Sequence, residues 1–148
     1  MNKQKMNKHE ENIFETLIQG EMSAIETYNQ VLDKLDSPAE ISKLQTISKN
    51  HKDALKQLKV YADYKGADIP KDSGYWGVFT KGVTGTAKLF GETAAVKALK
   101  EGEKHGLKEY NDAIASDELS VVAKNFIRDN FIPNMELHIN TLDAIMKN

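Results

Sequence analysis

A chain of 148 residues, 28% charged and 40% hydrophobic, is long enough for one domain with a sizeable core and leaves little room for a second. It contains no cysteine, which excludes a disulfide framework, thiolate metal sites and thiol catalysis and leaves His, Asp and Glu as metal ligands. The 20 basic residues nearly balance the 22 acidic ones and Arg128 is the one arginine, so a nucleic-acid surface built on bidentate arginine is not expected.

The first residues, Met1 to Lys8, are polar and lysine-rich and lack the apolar stretch of a secretory signal. Residues 1–9 are expected to be a flexible tail, and the chain to be cytoplasmic. No run approaches the length of a membrane-spanning helix. From Phe14, the positions Phe14, Leu17, Glu21, Ala24, Tyr28, Val31 and Leu35 alternate in steps of three and four, the inward seam of a bundle helix. Ser37, Pro38 and Glu40 spell an N-cap, a first-turn proline and a capping-box glutamate, so a first helix ends near Asp36 and a second begins at once. The second seam is Leu44, Ser48, His51, Leu55, Leu58 and Ala62, ending near Gly66.

Residues 67–91 differ in kind, with glycines at 74, 77, 82, 85 and 91. Trp76, Phe79, Val83, Ala87 and Phe90 still share one helical face, which predicts a crossover containing a short amphipathic helix. A third helix is expected from Glu92 to Ala115 with the seam Val96, Leu99, Glu103, Gly106, Tyr110 and Ala113. Ser116 is the expected cap of a fourth, with the seam Ile127, Phe131, Met135, His138, Leu142 and Ile145 and an interruption at Pro133.

The two halves repeat. Gly20-Glu21 is followed seven residues on by Tyr28-Asn29, and Gly102-Glu103 seven residues on by Tyr110-Asn111. His51 precedes Leu55 and Leu58 as His138 precedes Leu142 and Ile145. The pattern predicts an all-α four-helix bundle of two helical hairpins joined by a long crossover. It puts one polar residue on each seam: Glu21, His51, Glu103 and His138. Glu21 and His51 lie nearly equidistant from the first turn and so share a level. Glu103 and His138 differ by nine residues in their distance from Ser116, roughly 13 Å of helix. They become level only if the fourth helix starts late, near Val121 to Lys124, or is shortened around Pro133.

The segment Gly-Glu-Met-Ser-Ala-Ile-Glu-Thr-Tyr at 20–28 resembles the Gly-Glu-x6-Tyr helix of rubrerythrin-type proteins in the ferritin-like superfamily. Residues from about 10 to 147 are similar to a bacterial ferritin-like family of unknown function, single four-helix units with a long middle crossover. The resemblance implies a dimetal site made by a Glu from each of two helices and a Glu-x-x-His pair from each of the others, holding iron or manganese. Glu21 and Glu103 match the first kind, and His51 and His138 match the histidines of the second. The chain departs from the pattern at Ser48 and Met135, which stand three residues before those histidines, so it contains no Glu-x-x-His.

Two carboxylates and two imidazoles suffice for one divalent cation, Zn, Fe or Mn, and the expected metal site is Glu21, His51, Glu103 and His138. The alternative is a metal-free structural or stress-related interaction module in which buried Glu and His pair directly. A degenerate di-iron oxidase is a third reading, opposed by the missing Glu-x-x-His pairs. No catalytic residue is assigned: the chain has no catalytic triad order, phosphate loop or dinucleotide fingerprint. His9 and His105 are expected at the surface, the former in the tail. The crossover face of Trp76, Phe79, Val83 and Phe90 is the expected contact of a homodimer, with membrane contact the weaker alternative.

Overall fold

A computed structural model describes residues 5–72 and 91–147, and the expected crossover helix with its Trp76, Phe79, Val83 and Phe90 face lies outside them. The first helix, α1, spans Lys8–Leu32 and starts where Oδ1 of Asn7 accepts the Glu10 N–H at 2.9 Å. The helix therefore includes Lys8 and His9, which the sequence had placed in a tail. Exposed His9 faces Glu118 at 3.3 Å. The second helix, α2, spans Pro38–Tyr64 behind its Ser37 cap, as the capping signature predicts. Gly66 beyond it takes φ +74°, a left-handed conformation that suits glycine at a helix end.

The third helix, α3, covers the expected Glu92–Ala115. The fourth position of the bundle is filled by α4, Val121–Asn130, and α5, Ile132–Met146. Ser116 closes α3 and its Oγ accepts the Glu118 N–H at 3.1 Å. The cap of α4 is instead Ser120, whose Oγ accepts from Ala123 at 3.2 Å. Phe131 breaks the rod at φ −120°, because Pro133 has no N–H to continue the ladder and sits in the opening turn of α5. The late start and the break together remove the 13 Å discrepancy and bring His138 level with Glu103.

Four helical positions pack as an all-α bundle, α1 against α2 and α3 against α4 and α5. Two apolar clusters fill it. One includes Phe14, Ile18, Leu58, Tyr110, Ile127 and Phe131, the other Tyr28, Val31, Leu44, Val96, Leu99 and Leu142. Between them each helical position contributes one buried glutamate or histidine: Glu21, His51, Glu103 or His138. Such a layer carries a desolvation cost of several kcal/mol per unpaired charge, so its groups must pair with one another or with a ligand.

Direction along the bundle follows from contacts at its ends. The Asp36 N–H in the α1–α2 turn donates to Oε1 of Glu92 at the start of α3. Lys65, just past α2, accepts from Met6 beside the start of α1. The two ends of the connection from α2 to α3 therefore lie at opposite ends of the bundle, and α3 runs antiparallel to α1. A Cβ at Gly106 on the α3 seam would lie 2.7 Å from Cε of Met135 on α5, so the flexible end of that methionine fills the space the glycine leaves. Among the described residues no helix is long and apolar enough to cross a membrane.

Candidate metal centre

All four seam residues expected from the sequence are brought together, each 2–3% exposed. His51 is at the centre. Its Nδ1 lies 2.6 Å from Oε2 of Glu21 and its Nε2 2.6 Å from Oε1 of Glu103. His138 approaches the other oxygen of Glu103, with Nδ1 3.3 Å from Oε2. The two imidazole rings lie 4.8 Å apart between centroids. One ligand atom from each of His51, Glu103 and His138 can be chosen so that all three lie within 4.8 Å of one another.

The repeat tyrosines complete the layer by crossing it. The Tyr28 hydroxyl donates to Oε1 of Glu103 at 2.7 Å, and the Tyr110 hydroxyl to Oε1 of Glu21 at 2.6 Å. Each tyrosine serves the glutamate of the other half because α1 and α3 are antiparallel, so seven residues along one helix leads to the glutamate of its neighbour. His51 with Glu21 and His138 with Glu103 are equivalent contacts within each hairpin. The symmetry fails at one point. His51 reaches across to the carboxylate of the other half, whereas Nε2 of His138 meets Nδ2 of Asn50 at 3.4 Å.

Charge follows from this geometry. Burial alone would lower the His51 pKa, but Glu103 and Glu21 outweigh it and hold His51 well above its ordinary value. Burial pushes Glu103 up, yet the charge of His51 and the hydrogen bond from His138 prevail and keep its carboxyl well below the usual range. Burial, reinforced by the carboxylates, raises Tyr28 and Tyr110 well above the ordinary phenol, so both remain hydrogen-bond donors at neutral pH. His51 is thus held as an imidazolium against the ionised carboxylate of Glu103. Ser48, one turn before His51, is buried and its Oγ has no partner among the described residues.

Sequence reasoning located the four seam residues and missed Asn50, which lies off the α2 seam and half-buried. His105 is exposed as expected and lies 3.3 Å from Glu109.

The molecule is thus an all-α four-helix bundle with a buried glutamate–histidine layer whose His51, Glu103 and His138 are placed so that they could hold a metal ion. The family described as Domain of unknown function (DUF2383) matches residues 9–116, and the chain belongs to that family. The match takes in α1, α2 and α3 with Glu21, His51 and Glu103, while His138 lies beyond it. No curated protein and no solved structure matches the chain.

Proposed function

We propose that the chain is a ferritin-like bundle that holds one divalent cation on Nε2 of His51, a carboxylate oxygen of Glu103 and Nδ1 of His138. The observation that carries this reading is the convergence of three buried ligand groups within 4.8 Å. The ferritin-like assignment is supported by the placement of glutamates on α1 and α3 and histidines on α2 and α5 at one level of the bundle. Glu21 is not in the converging triad. It accepts from Nδ1 of His51 and so leaves Nε2 to face the ion, the carboxylate–histidine–metal arrangement that orients a ligand and raises its basicity.

Charge supports a doubly positive ion. With a divalent cation bound and His51 neutral, the carboxylates of Glu21 and Glu103 balance the charge of the ion. A buried net charge is costly, so this balance favours uptake. Three protein ligands leave a fourth position for water at a tetrahedral ion and further positions at iron or manganese. The orphaned Ser48 hydroxyl is the kind of group that an ordered water satisfies. Ser48 and Met135, in place of a second pair of carboxylates, favour one ion over two.

Elemental analysis of protein purified without chelator tests this reading, together with melting in Zn, Fe or Mn. One ion per chain and a raised melting temperature are expected. Metal-free protein whose melting temperature no added ion changes would refute it.

One observation favours a second reading, a metal-free module held by ion pairs: both nitrogens of His51 already sit 2.6 Å from carboxylate oxygens. On that reading Glu21→Gln and His51→Gln alter stability while metal content stays at zero throughout.

A further inference from the structure

The two halves of the polar layer differ at the histidine Nε2 atoms: that of His51 meets Glu103, whereas that of His138 meets Asn50. Its counterpart in the repeat is Leu137, which is 57% exposed and makes no contact with the layer that corresponds to the Asn50 amide. We propose that Asn50 is a positioning residue that decides which nitrogen of His138 carries the proton, and thereby sets how tightly the layer holds a divalent cation. The second half of this inference rests on the cation reading above.

The argument starts from hydrogen-bonding capacity. Glu103 can only accept, so with no cation Nδ1 of His138, which faces Oε2 of Glu103 at 3.3 Å, is the nitrogen that holds a proton. Nε2 faces the amide nitrogen of Asn50 3.4 Å away, a donor, and this arrangement suits a bare Nε2. A cation on Nδ1 of His138 inverts the requirement. The ring proton must move to Nε2, which then needs an acceptor. An asparagine meets both demands by turning its amide through half a revolution, presenting nitrogen in one state and oxygen in the other. An aspartate meets only the second and a leucine neither.

Space for this turn exists. Asn50 and His138 lie on the wall of a groove of about 300 Å³ between α2 and α5, bounded also by Lys43, Leu137 and Thr141. His51 has no comparable freedom, since both of its nitrogens face carboxylates. The two histidines therefore differ in role: Glu21 permanently orients His51, while Asn50 lets His138 change tautomer.

The test uses the full chain as wild type, Asn50→Asp and Asn50→Leu. Nitrogen-15 NMR of the imidazoles, recorded without metal, reports protonation at each nitrogen of His138. The wild type is expected to show a bare Nε2, and Asn50→Asp, which offers only acceptors, a protonated one. Zinc competition against a chelating dye should then order the affinities as Asp above Asn above Leu. Each step should be about 10-fold, the lower end of what an outer partner of a ligating histidine contributes, and stoichiometry should stay constant. Should Asn50→Leu fail to fold, Asn50→Ala replaces it with the same expectation. An Nε2 in the same protonation state in wild type and Asn50→Asp overturns the tautomer assignment. Zinc affinities within twofold across the series overturn the link to the cation. A wild type that takes up no zinc overturns that link together with the cation reading, and the tautomer comparison still decides the rest.

Discussion

The Tyr28 hydroxyl on α1 donates to Oε1 of Glu103 on α3 at 2.7 Å, 75 residues away in the chain, and its repeat partner Tyr110 returns the bond to Glu21. These two bonds tie the halves together across the polar layer. A buried hydrogen bond to a charged acceptor contributes about 1.5–3 kcal/mol. Tyr28→Phe and Tyr110→Phe should each destabilise by that amount in urea denaturation, since the phenyl rings keep their packing. Both tyrosines act on carboxylates that share His51, so the double variant should depart from additivity by more than about 0.5 kcal/mol. Additive losses would show that the two crossings are independent.

His51 is the hub of the layer. Replacing it with leucine strips the buried Glu21 and Glu103 of the imidazolium they share. Removing one member of a buried ion pair costs about 3–5 kcal/mol, and His51→Leu should fall in that range. Adding Glu21→Gln and Glu103→Gln removes the stranded charges and should restore a large part of the loss. A triple variant no more stable than His51→Leu would place the cost in packing instead.

The inward faces of α1, α2 and α3 were legible because the seam residues recur at helical spacing, and a polar residue placed among them stands out. The level of His138 was not. Ser116 and Ser120 are both competent caps, and only the packing of Leu119, 4% exposed, between them draws the chain inward before α4 can begin. The crossed tyrosine bonds depend on α1 and α3 being antiparallel, which a repeat alone does not state. Asn50 carries no signal at all, since it lies beside the seam and gains its role from the gap between α2 and α5.

Stability should depend on pH through His51. Its folded pKa is raised by two carboxylates, so its contribution is fully present below the unfolded value of about 6.5 and is lost as pH rises through the folded value. Chelator-treated wild type should therefore lose stability from about pH 6.5 upward at no more than about 1.4 kcal/mol per pH unit for one proton. Glu103 works in the opposite sense. Its pKa is lowered, so its contribution is present above about 4.3 and fades in acid. Melting curves from pH 2 to 10 on wild type and His51→Gln check both limbs, and only the wild type should show the alkaline one.

The caps of α4 distinguish the two serines. Ser120→Ala removes the acceptor of the Ala123 N–H and should cost about 1 kcal/mol, the usual loss at an N-cap. Ser116→Ala removes only a local turn bond to Glu118 at an exposed site and should cost within about 0.5 kcal/mol, as surface substitutions do. Equal losses would mean that the fourth position of the bundle is anchored at Ser116 after all.

Cation binding should release a proton. Without metal the His51 imidazolium donates one N–H to each of the two carboxylates, and Nε2 must lose its proton before donating a lone pair to an ion. Titration calorimetry with zinc at pH 7, repeated in buffers of different ionisation enthalpy, should give close to one proton released per ion bound. Apparent affinity should accordingly fall about tenfold for each pH unit below neutrality. Binding with no proton release would mean that the ion does not displace the His51 proton and so does not occupy the centre of the layer.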